Sequence, residues 1–111
     1  MYSDDQLQDM RFQFSRALED LRRQIQAFTG DKNELWPIYD GLSAQLHELG
    51  QVVWQIPSSS VWNQPYTAAV NDLDQATQQF AYAQGDNDEQ RPHYLAQAVD
   101  FLNQAVSTLA N

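Results

Sequence analysis

Apolar residues recur along this chain at steps of three and four, in four separate runs divided by short polar breaks. The first run is Leu7, Met10, Phe14, Leu18, Leu21, Ile25 and Phe28, which share one stripe of an α-helix. Ser3 stands where an N-cap belongs, with Gln6 three residues on to complete a capping box and Asp4 and Asp5 in the dipole-favoured first turn. Thr29-Gly30 closes the run. A second stripe follows through Leu35, Tyr39, Leu42, Leu46, Leu49, Val53 and Ile56. Pro37 is confined to its first turn, and Pro57 stops it. The third stripe is Trp62, Tyr66, Ala69, Val70, Leu73, Ala76, Phe80 and Ala83, with Pro65 near its start and Gly85 placed as a C-cap. Asp86-Asn87-Asp88-Glu89 reads as a polar turn. The fourth stripe is Leu95, Ala98, Val99, Leu102, Val106 and Leu109, with Pro92 marking its first turn.

These runs predict helices over 3–28, 36–56, 62–84 and 91–110. No run alternates with period two over a strand length, and no Asn-Gly or Asp-Gly hairpin signal occurs. Four amphipathic helices with short connections predict an all-α, single-domain antiparallel bundle of up-down-up-down topology. Two helical hairpins that pair with a second copy are the structural alternative. The four periodicities are similar, but the loops and caps differ too much for an internal repeat.

A chain of 111 residues allows one core of ordinary size. Its formal charge of −9 argues against direct nucleic-acid binding, which needs surplus Lys and Arg, and against docking on anionic lipid. No apolar run approaches the ~20 residues of a membrane span. The start, Met1-Tyr2-Ser3-Asp4-Asp5, lacks the basic and apolar regions of a signal peptide, so a cytoplasmic protein is the expectation. With no cysteine, thiol catalysis, a zinc ribbon and covalently attached haem are excluded. The 16 Gln and 6 Asn stand against a single Lys, so amides do much of the solvation on the helix faces.

Charge is also segregated. Residues 33–90 hold eight acids and no base, whereas the first helix is nearly balanced. Such a field would steer the middle of the chain towards a basic partner, or let it imitate nucleic acid as an acidic inhibitor. Plain solubility is the simpler use of the same charge.

Chemistry is sparse. A di-iron bundle needs Glu-x-x-His pairs, and no Glu stands three residues before His47 or His93, so no metal or other cofactor is expected. Ser58, Ser59 and Ser60 lack a nucleophile-elbow pattern and suit a turn. Asp72 and Asp74, two apart on a helix, do not face each other. Nothing here points to an enzyme.

His47 lies well off the second stripe and should reach solvent. The segment His47-Glu48-Leu49-Gly50 loosely resembles the His-x-Leu-Lys-Gly segment of histidine phosphotransfer domains, which present a phosphoryl-accepting His on the second helix of a small acidic bundle. That resemblance would make His47 the acceptor. It covers about four residues, lacks the lysine and changes the spacing to the glycine.

Trp36, Asp40, Ser43, His47 and Trp54 share one flank of the second helix, roughly 115° from its core stripe. Tyr94 and Phe101 form a comparable flank on the fourth. Phe12 points almost directly away from the core on the first helix, and Tyr82 does so on the third. Aromatic rings among amides and acids suit protein–protein contact. The expected function is therefore a non-catalytic interaction module, an adaptor, chaperone-like or regulatory factor, with Trp36, His47, Trp54, Phe12 and Tyr82 as contact residues. Its partner would be another protein with a basic surface, or a second copy in a homodimer. An enlarged core that absorbs the Trp36/Trp54 flank is the competing reading.

Overall fold

A computed structural model describes residues 2–85 and 88–110, and all its regular structure is helical. Helix α1 spans Asp4–Gln26, α2 Leu35–Trp54, α3 Asn63–Ala83 and α4 Arg91–Ala110, with one 3-10 turn, Lys32–Glu34, ahead of α2. They form a four-helix bundle in which each helix packs on its chain neighbours and α1 packs on α4. Met10 and Val52 line one cleft and Tyr39 and Ala81 another, so the start of α1 meets the end of α2, and the start of α2 meets the end of α3. The polar turn expected over 86–89 falls partly on 86 and 87, outside the described residues.

Local chemistry explains where the helices begin. Ser3 Oγ accepts from the Gln6 N–H at 3.2 Å while the Ser3 N–H donates to Gln6 Oε1 at 2.8 Å, the reciprocal capping box the sequence predicts. Pro37, Pro65 and Pro92 all fall in a first turn, where a missing N–H costs no helical hydrogen bond. Ser60 prepares α3 by accepting from the Trp62 N–H at 3.1 Å, the turn role expected of that connector. Gly30, with φ 109°, turns the chain between α1 and the 3-10 turn in a conformation that favours glycine.

Three ends differ from expectation, and the first is α1, which stops at Gln26 and not at Phe28. Helix α2 stops at Trp54, before Pro57, yet Ile56 is still buried, and the Asn63 side-chain amide donates to its carbonyl at 3.2 Å. At the end of α3 the C-cap is Gln84, and Gly85 does not use a left-handed conformation. Arg91, itself buried, does the capping instead. Its Nε donates to the Ala83 carbonyl at 2.9 Å and one Nη to the Gly85 carbonyl at 3.0 Å, while Asp88 pairs with that Nη at 2.7 Å. A guanidinium satisfies the orphan carbonyls that a glycine cap would otherwise have turned inward.

The core follows the stripes, with one rotation. Helices α3 and α4 make the most extensive contact, and at heptad spacing α3 buries Ala69, Ala76 and Ala83 while α4 buries Ala98 and Ala105. Alanines at heptad spacing let two backbones approach closely. In α2 the buried line is Leu35, Ile38, Leu42, Leu49 and Val52, with Tyr39, Leu46 and Val53 only partly buried beside it. Ile38 and Val52 therefore turn α2 by roughly 40° from the orientation that the Tyr39-Leu46-Val53 reading implies. A close approach fixes that orientation: a Cβ at Gly41 would lie 2.7 Å from Leu21 Cδ2 of α1.

Helix α2 is held differently from its neighbours. Tyr66 of α3 donates its buried hydroxyl hydrogen to the Leu7 carbonyl of α1, and Arg22 of α1 donates to Asn103 of α4 at 2.8 Å. Among the described residues, no side-chain hydrogen bond or ion pair involves a residue of α2. Apolar contact alone seats it.

Candidate interaction surface

The rotation of α2 decides the fate of its aromatic flank. With the core line running through Ile38 and Val52, Trp36 and Trp54 stand roughly 150° from its centre and His47 more than that. Trp36 is 62 % exposed and Trp54 87 %, so neither belongs to an enlarged core. His47 is exposed between them. Eighteen residues separate the two indoles, which at 1.5 Å per residue places them about 27 Å apart along one edge of the bundle. They are two anchors on a line, with Asp40, Ser43 and His47 between, and do not form a continuous patch.

The other two expected contact residues lie elsewhere. Phe12 is 41 % exposed on α1, its ring covered on one side by the Arg11 guanidinium at 4.6 Å. Tyr82 is exposed on α3 and leans on the partly buried Tyr94 of α4, ring centroids 5.5 Å apart, with His93 beyond it. By the antiparallel order, Tyr82 and Trp36 share one end of the bundle, and Phe12 and Trp54 share the other. The structure thus exposes all five residues without bringing them to one site. Trp36, His47 and Trp54 share a face; Phe12 and Tyr82 do not join it.

His47 sits on the rims of two shallow clefts, one against α1 lined by Met10, Phe14 and Glu48, the other against α3 lined by Tyr39, Asp74 and Gln78. No Lys or Arg lines either. The phosphotransfer resemblance therefore gains nothing from the surroundings of His47, since a bound phosphoryl group wants a nearby cation. Among the described residues no three His, Asp or Glu side chains come together to hold a metal ion. Asp72 is half-buried, and desolvation raises its carboxyl above the ordinary aspartate value.

The acidic stretch becomes a side of the molecule. Helices α2 and α3 are adjacent and carry Asp40, Glu48, Asp72 and Asp74 without one Lys or Arg. The arginines concentrate on α1, where exposed Arg23 lies 3.7 Å from both Glu19 and Asp20. Pairs that open to solvent contribute little to stability. Their effect is to leave the bundle with a nearly neutral side and a strongly negative one.

A second surface escaped the sequence reading. Val61 is 83 % exposed and, with Trp62, Pro65, Tyr66, Arg11, Thr108 and Leu109, lines a groove of about 370 Å³ at the end of the bundle where α1 and α3 begin. The sequence pattern places Trp62 on the third stripe and gives Val61 no role, because a helical wheel assigns no direction to residues before the helix. A signal was nevertheless present. Of the four arginines on α1, Arg11 alone has no acid three or four residues away; its neighbours there are Leu7, Gln8, Phe14 and Ser15.

Compared with models of protein families, with curated proteins and with solved structures, the chain matches none of them. The bundle's own surfaces are therefore the ground for a functional reading. Among the described residues, no helix is long and apolar enough to cross a membrane.

Proposed function

We propose that this protein is a non-catalytic interaction module, an adaptor or regulatory factor of the cytoplasm, that docks another protein along the outer edge of α2. The observation that carries the reading is the exposure of Trp36 and Trp54 on one edge of a helix seated by apolar contact alone. A solvated indole withholds a large apolar area from burial, and tryptophan is among the residues most enriched at binding hot spots. His47, Ser43 and Asp40 between the two rings would supply the polar part of such a contact. The adjoining negative side formed by α2 and α3 supplies direction: it favours approach by a basic protein surface and repels nucleic acid. Anchoring then lies in the rings and steering in the carboxylates.

The test compares wild type with Trp36→Ala/Trp54→Ala as baits in a lysate of the source organism, at low and high salt. The expected result is a specific protein retained by wild type and lost with the double variant. Its association rate should fall as salt rises, while the dissociation rate changes little. Identical eluates from the two baits would remove α2 as the docking edge. A doubled solution mass lost in the double variant would instead identify the partner as a second copy. Competition of the captured protein with DNA or RNA would point to nucleic-acid mimicry.

A further inference from the structure

We propose that the groove between the starts of α1 and α3 and the end of α4 binds a small aliphatic monocarboxylate, with Arg11 as its anion anchor. The Arg11 guanidinium lies over two rings, its Cζ 4.6 Å from the centroid of Phe12 and 5.4 Å from that of Trp62. Its Nε is shut off from solvent and has no hydrogen-bond partner, and among the described residues the guanidinium makes no ion pair. Buried guanidinium nitrogens are ordinarily satisfied, and the exceptions call for an acceptor. Arg22 Nε on the same helix is also buried and unpartnered, but Arg22 donates to Asn103, whereas Arg11, only partly buried, lines the groove, from which an acceptor can reach it.

Charge and shape narrow the ligand class. Arg11 is the sole charged residue among those lining the groove, whereas the clefts beside His47 are lined by Glu48 and Asp74. One cation in a chain of charge −9 suits a monoanion better than a phosphate dianion. A planar guanidinium held over two rings presents two parallel N–H donors, the geometry a carboxylate accepts with both oxygens. The other walls are Val61, Trp62, Pro65 and Leu109, which accept hydrocarbon. A volume of about 370 Å³ lies at the small end of ligand sites, so the tail is short. Contact with the two rings fixes the guanidinium before the ligand arrives, which lowers the ordering cost of binding.

Octanoate is the probe, with octan-1-ol and inorganic phosphate as controls, titrated into isotopically labelled full-length protein and followed by NMR. Octanoate is expected to shift the Trp62 indole N–H and the Arg11 Nε–H saturably. Octan-1-ol should bind roughly tenfold or more weakly, because it cannot make the charge-assisted pair. Arg11→Gln should weaken octanoate by a similar factor while the rest of the spectrum keeps its dispersion. Should that variant unfold, Val61→Glu replaces it, since Val61 is exposed at the rim and a carboxylate there would compete for the same guanidinium. Absence of a Trp62 shift at millimolar octanoate overturns the proposal. So does equal affinity for octan-1-ol or phosphate, or undiminished octanoate binding by the folded variant.

Discussion

The two glycines of α2 make opposite predictions from one substitution. In a helix interior Ala is favoured over Gly by about 0.8–1 kcal/mol, so on propensity alone Gly41→Ala and Gly50→Ala should stabilise equally. Their surroundings differ. A Cβ at Gly50 meets no atom within 4 Å, so that variant should keep most of the gain. At Gly41 the new carbon would lie 2.7 Å from Leu21 Cδ2, with Leu21 Cγ at 3.7 Å and Cδ1 at 3.8 Å. Leu21 must retreat by about 1 Å, and it is buried, so its methyl has no solvent to move into. Overpacking of this kind costs about 1–3 kcal/mol, which equals or exceeds the propensity gain. Urea unfolding followed by far-UV circular dichroism should therefore rank Gly50→Ala above wild type and Gly41→Ala at or below it. The gap between the variants should be at least about 1 kcal/mol with an unchanged m-value. Adding Leu21→Val should hurt Gly41→Ala less than it hurts wild type, because the two changes share one contact. Equal stabilisation by the two alanines would refute the close approach of α1 and α2 at Gly41, and with it the rotation that turns Trp36 and Trp54 outward.

Three further outcomes follow from named contacts. Burial pushes the Tyr66 hydroxyl up from its ordinary 10.0 to about 12, although Arg11 nearby opposes the shift. The native state then keeps a proton that the unfolded chain has lost, so this stabilisation is complete below pH 10 and disappears as pH rises through 12. Tyr66→Phe should cost about 1 kcal/mol at neutral pH and should remove up to about 2–3 kcal/mol of alkaline slope, read by unfolding at stepped pH. Arg91→Ala should cost about 2–4 kcal/mol by stranding the Ala83 and Gly85 carbonyls, whereas Asp88→Ala, whose carboxylate is exposed, should cost well under half of that in the same assay. Trp36→Phe and Trp54→Phe should each change stability by less than about 0.5 kcal/mol and each reduce the share of fluorescence open to acrylamide, leaving a protected signal from Trp62.

The bundle was readable from sequence because its information is periodic and redundant. Seven apolar positions in the first run, six of them on α1, specify one face several times over, so the partly buried Met10 and Phe28 did not mislead. Helix α2 was harder for a physical reason. Its apolar arc is wide, with Ile38 and Tyr39, and again Val52 and Val53, side by side. Two stripes about one residue apart thus fit almost equally well. What separates them is Gly41, whose missing side chain admits Leu21 and so selects the face carrying Ile38 and Val52, a partnership between helices that no single-helix pattern contains. Gly85 failed in the complementary way. Its position predicted a left-handed cap, but the end of α3 is completed by a side chain from α4. A capping group that arrives from another helix leaves no signature beside the residue it caps.

The same distinction separates the two surfaces. The exposure of Trp36, His47 and Trp54 was readable because it follows from one helix, and the correction to α2 moves them further from the core. The Arg11 groove takes residues from α1, α4 and the segment before α3, so it exists only after assembly. What the sequence does contain is a negative clue: an arginine on a helix with no acid three or four residues away and an aromatic residue beside it. Such an arginine must find its partner across the fold or outside the chain. Here the fold supplies two rings, Phe12 and Trp62, and no anion among the described residues. The α2 edge and the Arg11 groove also differ in charge: one borders the acidic side of the bundle, the other holds a lone cation. A basic protein on the first and a carboxylate in the second would bind without competing for the same residues, so each can be lost by mutation while the other persists.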